Sequence, residues 1–163
     1  MKRVRQLQGI WMVCMAEAVV MGLVLWILQG GAPPAVAGMS AQFVAWVLAV
    51  VTVVDVWLAV WLFRATWLPL CERALKRVWA GRLTNAAEAR AIAQTLSTRG
   101  IVIMGLLAAP SCYAVLWVWL GGAHRPVAAA LVGLSVLGLG AFHWEGLQPA
   151  AGIFQHTERI SAP

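Results

Sequence analysis

Four apolar stretches, at about 8–29, 41–63, 101–121 and 126–145, constrain this chain more than any other feature. Each is long enough to cross a hydrocarbon layer of about 30 Å, which takes roughly 20 helical residues. Only helices and closed barrels satisfy their backbone hydrogen bonds within lipid. These runs are read as transmembrane helices. Composition agrees, with 62% hydrophobic and 11% charged residues and a mean hydropathy of +0.82. A soluble domain is far more charged. The expected fold is therefore all-α, a four-helix transmembrane bundle forming one integral membrane domain over 1–163. A chain of 163 residues has no room for a separate soluble enzyme domain beside those spans.

The charge pattern sets an orientation. Twelve Lys and Arg face six Asp and Glu, a net charge of +6, and the basic residues gather beside the apolar runs. Lys2, Arg3 and Arg5 precede the first. Arg64, Arg73, Lys76, Arg77, Arg82, Arg90 and Arg99 lie between the second and third, against Glu72 and Glu88 alone. The turns "QGGAPPAVAGMSAQ" and "GGAHRP" carry little charge. By the positive-inside tendency, both termini and the 64–100 connector are expected in the cytoplasm of a bacterium, and the chain in its inner membrane. Ala35-Val36-Ala37 has the small-x-small form of a signal cleavage site, but the preceding run is long and carries Glu17, so it is read as a retained span.

The connector has structure of its own. Pro69 is expected to interrupt the continuation of the second helix, Gly81 to stop the helical piece that follows, and Asn85 to cap the next, with Glu88 three residues on. Two helical pieces would thus extend the second and third spans. Anionic lipid headgroups are one expected partner of this basic surface. A docking surface for another protein is the other reading.

Two acids stand inside spans: Glu17 in "WMVCMAEAVVMGLVLWIL" and Asp55 in "VVTVVDVWLAVWLF". Each lies about nine residues from the cytoplasmic end of its span, roughly 13 Å deep at ~1.5 Å per residue. An antiparallel hairpin would bring them to one level. An acid at the centre of a bilayer costs about 2.5–3.5 kcal/mol on insertion scales, so each should face the bundle interior, a wet cavity or another subunit. Glu17 and Asp55 are the candidate ion or proton site. The alternative is a structural pair, hydrogen-bonded to Thr52, Ser111 or a backbone carbonyl, or paired with a basic residue of a partner chain. No Lys, Arg or His shares their depth.

Cys14 and Glu17 share a helix face, and Cys112 should fall near the same depth. A thiol and carboxylates can ligate zinc or copper, but histidine is missing at this level, and His124, His143 and His156 are not paired at matched depths for haem. No metal, no cofactor and no catalytic residue is expected, and nothing points to nucleic acid. Small residues recur at Cys14, Ala18 and Gly22, at Gly105 and Ala109 with Ala108 and Cys112, and at Ala129 and Gly133, stripes that let helices approach closely. Tryptophans gather near the span ends as interfacial belts do; Trp57, beside Asp55, is the exception and is expected to face lipid or a partner.

The third span, "GLLAAPSCYAVLWVWLGG", resembles the outer-helix phrase of rotary-ATPase proteolipids through Pro110 and Tyr113. That family carries its ion-binding acid near the position of Ala108, where this chain has none. The whole pattern is also similar to small uncharacterised four-span bacterial membrane proteins, which implies architecture only. The placing of Glu17 resembles small multidrug transporters, whose loops are shorter than the 64–100 connector. The expected function is that of a non-catalytic subunit or assembly partner of a larger membrane complex, with other membrane subunits or further copies as partners. The alternative is a small proton- or cation-coupled transporter or channel component using Glu17 and Asp55.

The orientation is testable by labelling. In a cysteine-free chain, Ala37→Cys and Ala123→Cys should react in intact cells with an impermeant thiol reagent, and Asn85→Cys should not. Labelling at position 85 would reverse the topology.

Overall fold

The computed structural model describes residues 2–28, 41–119 and 125–161, and all of its regular structure is helical. The elements are α1 (Lys2–Leu28), α2 (Ala41–Leu62), α3 (Leu68–Trp79), α4 (Ala86–Trp119), α5 (Arg125–Phe142) and α6 (Gln148–Ser161). A π turn, Phe63–Trp67, joins α2 to α3, and a second, His143–Leu147, joins α5 to α6. Four helices are long and apolar enough to cross a membrane. The chain is an all-α, multi-pass membrane protein. The turns at 30–40 and 121–124 lie outside the described residues.

Length shows where the bundle extends beyond its spans. The helical runs Trp46–Trp79, Ala86–Val118 and Pro126–Ile160 have 34, 33 and 35 residues, or about 50 Å each at ~1.5 Å per residue. That exceeds a hydrocarbon layer by about 20 Å. The excess lies at the basic end, where α3, the first turns of α4 and α6 pack together around Cys71, Ala74, Ala93, Leu96, Ile153 and Phe154.

Pro69 does not interrupt the second helix, contrary to expectation. A proline lacks an N–H and its ring collides with the carbonyl four residues back, which for Pro69 is that of Ala65. The widened π turn covers Ala65 and shifts the pairing, with the Leu68 N–H bonding to the Phe63 carbonyl. The helix then continues. Pro149 repeats the device: Glu145 lies in the second π turn, and the Gln148 N–H bonds to the His143 carbonyl. The fourth helix therefore runs on into α6 instead of ending near 145. The stop at Gly81 and the cap at Asn85 follow expectation. Gly81 takes a left-handed φ of 62°, and the Asn85 side-chain oxygen caps α4 by accepting from the Ala87 N–H at 2.9 Å. Glu88 pairs with Arg77 of α3, an exposed pair worth little to stability.

The helix α4 is the axis of the bundle. Of its most apolar stretch 44% is buried within the chain, against 11% for α1 and 17% for the second span. It packs on α1, α2 and α5; α1 also packs on α5, whereas α2 has only α4 and its own π turn as extensive neighbours. The first two spans therefore form no packed hairpin. The π turns meet at the basic end, where Phe63 lies edge-on to Phe142, with ring centroids 5.8 Å apart, and Trp67 lies 5.3 Å from the same ring.

Trp67 is 0% exposed and fits because Gly100 has no side chain: a Cβ there would stand 2.9 and 3.0 Å from the indole ring. Gly100→Ala should destabilise the fold by about 1–3 kcal/mol, the cost of overpacking a rigid contact. Gly138→Ala, which meets only the flexible tip of Leu107, should cost less. Unfolding of both variants in one detergent provides the measurement; equal losses would contradict this account of the Trp67 seat.

Candidate functional site

The interior is two apolar clusters with a polar layer between them. Near the basic end the core includes Ala59, Met104, Leu107, Leu139 and Phe142. Towards the other end it comprises Leu25, Val44, Leu48, Ala114, Trp117, Ala128 and Leu131. Between the clusters every span presents polar side chains: Glu17 from α1, Thr52 and Asp55 from α2, Ser111, Cys112 and Tyr113 from α4, and Ser135 from α5.

Helical spacing explains how each arrives. On α2 the residues Val44, Leu48, Thr52, Asp55 and Ala59 recur every three or four positions, so they form one stripe, and that stripe faces α4. Asp55 is half-buried on it. The Tyr113 hydroxyl donates to Asp55 Oδ2 at 2.6 Å. On the other side of α4, the Cys112 thiol donates to Glu17 Oε1 at 3.0 Å. Consecutive residues on a helix point about 100° apart. The acids therefore stand at one level, as their depths suggest, but α1 and α2 approach α4 from different sides, and each acid is bonded to α4 rather than to the other. Trp57 is 64% exposed and points away from the bundle.

The buried serines have a different task. Pro110 sits inside α4 and is itself buried, leaving a gap in the ladder of helix bonds. Beside it the Ser111 N–H donates to Ser135 Oγ at 3.0 Å, and the Ser111 hydroxyl donates to the Ala108 carbonyl at 2.7 Å. Both serines are 0% exposed. They pair backbone groups beside Pro110 and bear on neither acid.

Between the α1 and α2 edges, α4 lies open. Thr98, Val102, Gly105, Cys112 and Leu116 are exposed and Ala109 half-exposed, a stripe with alternating spacings of four and three. Cys112 sits on it with Glu17 to one side, and Tyr113 marks the other edge with Asp55. The result is a trough floored by α4 and rimmed by the two acids. At its basic end an open pocket of about 400 Å³ is lined by Ala91, Gln94, Thr95, Thr98 and Arg99, and Arg99 donates to the Thr66 carbonyl at 3.3 Å.

Among the described residues no three His, Cys, Asp or Glu side chains converge as metal ligands would. Cys14 is a free thiol. His143 stacks on Trp11, with ring centroids 4.3 Å apart, and His156 lies 3.1 Å from the Leu83 carbonyl, both on the basic side of the layer. Comparison of this chain with protein-family models, with curated proteins and with solved structures finds no match. The site is therefore read from its own chemistry.

Sequence reasoning placed Cys112 near the depth of Glu17 but missed Tyr113 as the partner of Asp55. Tyr113 is the only tyrosine of the chain, and counting its depth would have put its hydroxyl within reach of an acid. The side of α4 on which each acid docks carries no such signal.

The two bonds predict how substitutions behave. Asp55→Asn retains an acceptor for Tyr113 and should cost less than about 1 kcal/mol, whereas Asp55→Leu strands a phenol in apolar surroundings and should cost about 1–3 kcal/mol. Adding Tyr113→Phe to Asp55→Leu should recover most of that loss. Unfolding in detergent would measure the cycle; additive losses would mean that the Tyr113–Asp55 bond carries none of it.

Proposed function

We propose that this protein is a non-catalytic subunit or assembly partner of a larger complex in a bacterial inner membrane, with both termini in the cytoplasm. The observation that carries this reading is the trough. A lone bundle would gain by turning its acids inward, since each is expensive beside lipid. Here Glu17 and Asp55 instead flank an open face of the most central helix. Small residues along that face suit close approach by another helix.

A proton or cation relay is the second reading, favoured by the exchangeable hydrogen that Cys112 and Tyr113 each hold on an acid. Within one chain, however, the polar layer lies between the two apolar clusters, with Met104, Leu107 and Phe142 on one side and Leu48, Trp117 and Leu131 on the other. A relay would need a route supplied by another chain, so assembly comes first in both readings.

Purified from native membranes in mild detergent, the chain should run as an assembly larger than itself that contains other chains. A monodisperse single-chain species would refute the proposal. So would loss of a proton-dependent flux in reconstituted vesicles on Glu17→Gln or Asp55→Asn with the fold intact; the transporter reading would then replace it.

A further inference from the structure

The glycines of the bundle separate by what their smallness serves. A Cβ at Gly100 would strike Trp67, one at Gly138 would strike Leu107, and one at Gly146 would press on Phe142 and Phe63. Those three are small for the sake of this chain's own packing. A Cβ at Gly105 would meet nothing within 4 Å, as at Gly9, Gly133 and Gly140, so no neighbour within the chain requires a small residue there; of these four, Gly105 is the one on the exposed α4 stripe beside Cys112. Gly105 lies in the middle of the trough floor, with Ala109 and Cys112 following at helical spacing. The floor is flat where it passes between the acids.

The rims specify what could lie on it. A carboxylate offers two oxygens and several acceptor positions, and the bond described for each acid engages one oxygen, Oε1 of Glu17 and Oδ2 of Asp55. An occupant must therefore bring hydrogen-bond donors, preferably with positive charge, to the middle of the membrane. A lipid acyl chain has none. A second copy of this chain does not meet the need either, because its spans hold no Lys, Arg or His at that level, and trough against trough would gather four carboxylates. The floor from Thr98 to Leu116 is about 27 Å long at ~1.5 Å per residue, close to a full hydrocarbon thickness, and the pocket lined by Gln94, Thr95, Thr98 and Arg99 opens at its basic end.

We infer that the trough between α1 and α2 is the docking site for one transmembrane helix of a different protein, bearing a Lys or Arg near its middle that lies over Gly105–Cys112 and pairs with Glu17 and Asp55. The inference rests on the subunit reading and names the partner's chemistry. It also accounts for the acids: each costs least when a cation shares its depth.

The test uses the full chain and a defined probe. In a background of Cys14→Ala, Cys71→Ala and Cys112→Ser, the last keeping a hydroxyl donor for Glu17, Gly105→Cys marks the trough floor. Leu137→Cys, at a site 74% exposed on α5, marks lipid-facing surface away from it. Each protein is reconstituted in vesicles with a single-span Leu/Ala helix that carries a central Lys and a cysteine one turn away, or with the same helix carrying Leu in place of Lys. Disulfide formation at Gly105→Cys should be about tenfold greater with the Lys probe, the factor expected of one intramembrane polar pairing. The excess should vanish in Glu17→Gln/Asp55→Asn, with folding checked by unfolding, and should be absent at Leu137→Cys. Equal yields for the two probes, an excess that survives the double variant, or an equal excess at Leu137→Cys would overturn the assignment. Predominant Gly105→Cys self-disulfides would overturn it too, in favour of a second copy. The two proposals fail separately: a chain that purifies alone from native membranes refutes the subunit reading, whereas a chain that purifies in a complex yet shows no Lys-dependent excess refutes only the docking site.

Discussion

No water reaches the middle of a bilayer to accept or donate where a helix leaves a backbone group unpaired, and three prolines stand inside the long helices of this chain. How those interruptions are absorbed determines the shape of the rest. Pro69 and Pro149 are each preceded by a π turn that contains the carbonyl their ring would strike. Pro110 has no π turn and relies on Ser135 reaching across from α5. The first two keep the helices continuous to about 50 Å and carry α3 and α6 beyond the spans. The third joins α4 to α5 at the polar layer. Loss of the contact beside Pro110, the buried one of the three, would leave a backbone group unpaired in apolar surroundings, at a cost comparable to breaking a buried hydrogen bond.

The arrangement repeats along the chain. A span, then a second span with a π turn, a proline and an amphipathic extension, describes α1 to α3 and equally α4 to α6. The halves are not equivalent in burial. The first span of the second half is the axis of the bundle, and the second span of the first half lies at its edge, where Val53, Val54, Trp57, Val60 and Trp61 are exposed. This asymmetry produces the trough, because α5 fills the space beside α1 while no described helix fills the space between α1 and α2.

Much of the architecture is legible in the sequence because length and hydropathy are local properties. Four spans, the Gly81 stop and the Asn85 cap follow from runs of ten to thirty residues read on their own. What fails is local too. Pro69 reads as a helix breaker, and the fourth span reads as ending near 145 where the apolar run stops, since nothing in "FRATWLP" or "HWEGLQP" announces a π turn. Depth is likewise a matter of counting, and it puts Glu17 and Asp55 at one level. Azimuth is not: which side of α4 receives α1, and which receives α2, is decided by packing among three helices, and the assumption of a hairpin between the first two spans has no support in the sequence beyond their adjacency.

Cys112 and Tyr113 give the acids a relation that neither their depths nor their spacing contains. Consecutive side chains on a helix cannot share a face, so α4 holds the carboxylates apart while keeping them level. Were α1 and α2 packed as a hairpin, Glu17 and Asp55 could share one proton between them and be closed off from the surroundings. Held on opposite edges of an exposed stripe, they remain available to a group that is not part of this chain. The bonds from Cys112 and Tyr113 reduce the cost of that exposure without removing it, since a thiol is a weak donor and one hydrogen bond does not replace a hydration shell. The fold therefore keeps two incompletely satisfied carboxylates at mid-membrane beside a floor of small residues. Packing within this one chain would more readily bury a neutral side chain at either position, which is why the subunit reading proposed above assigns the acids to an interaction outside it.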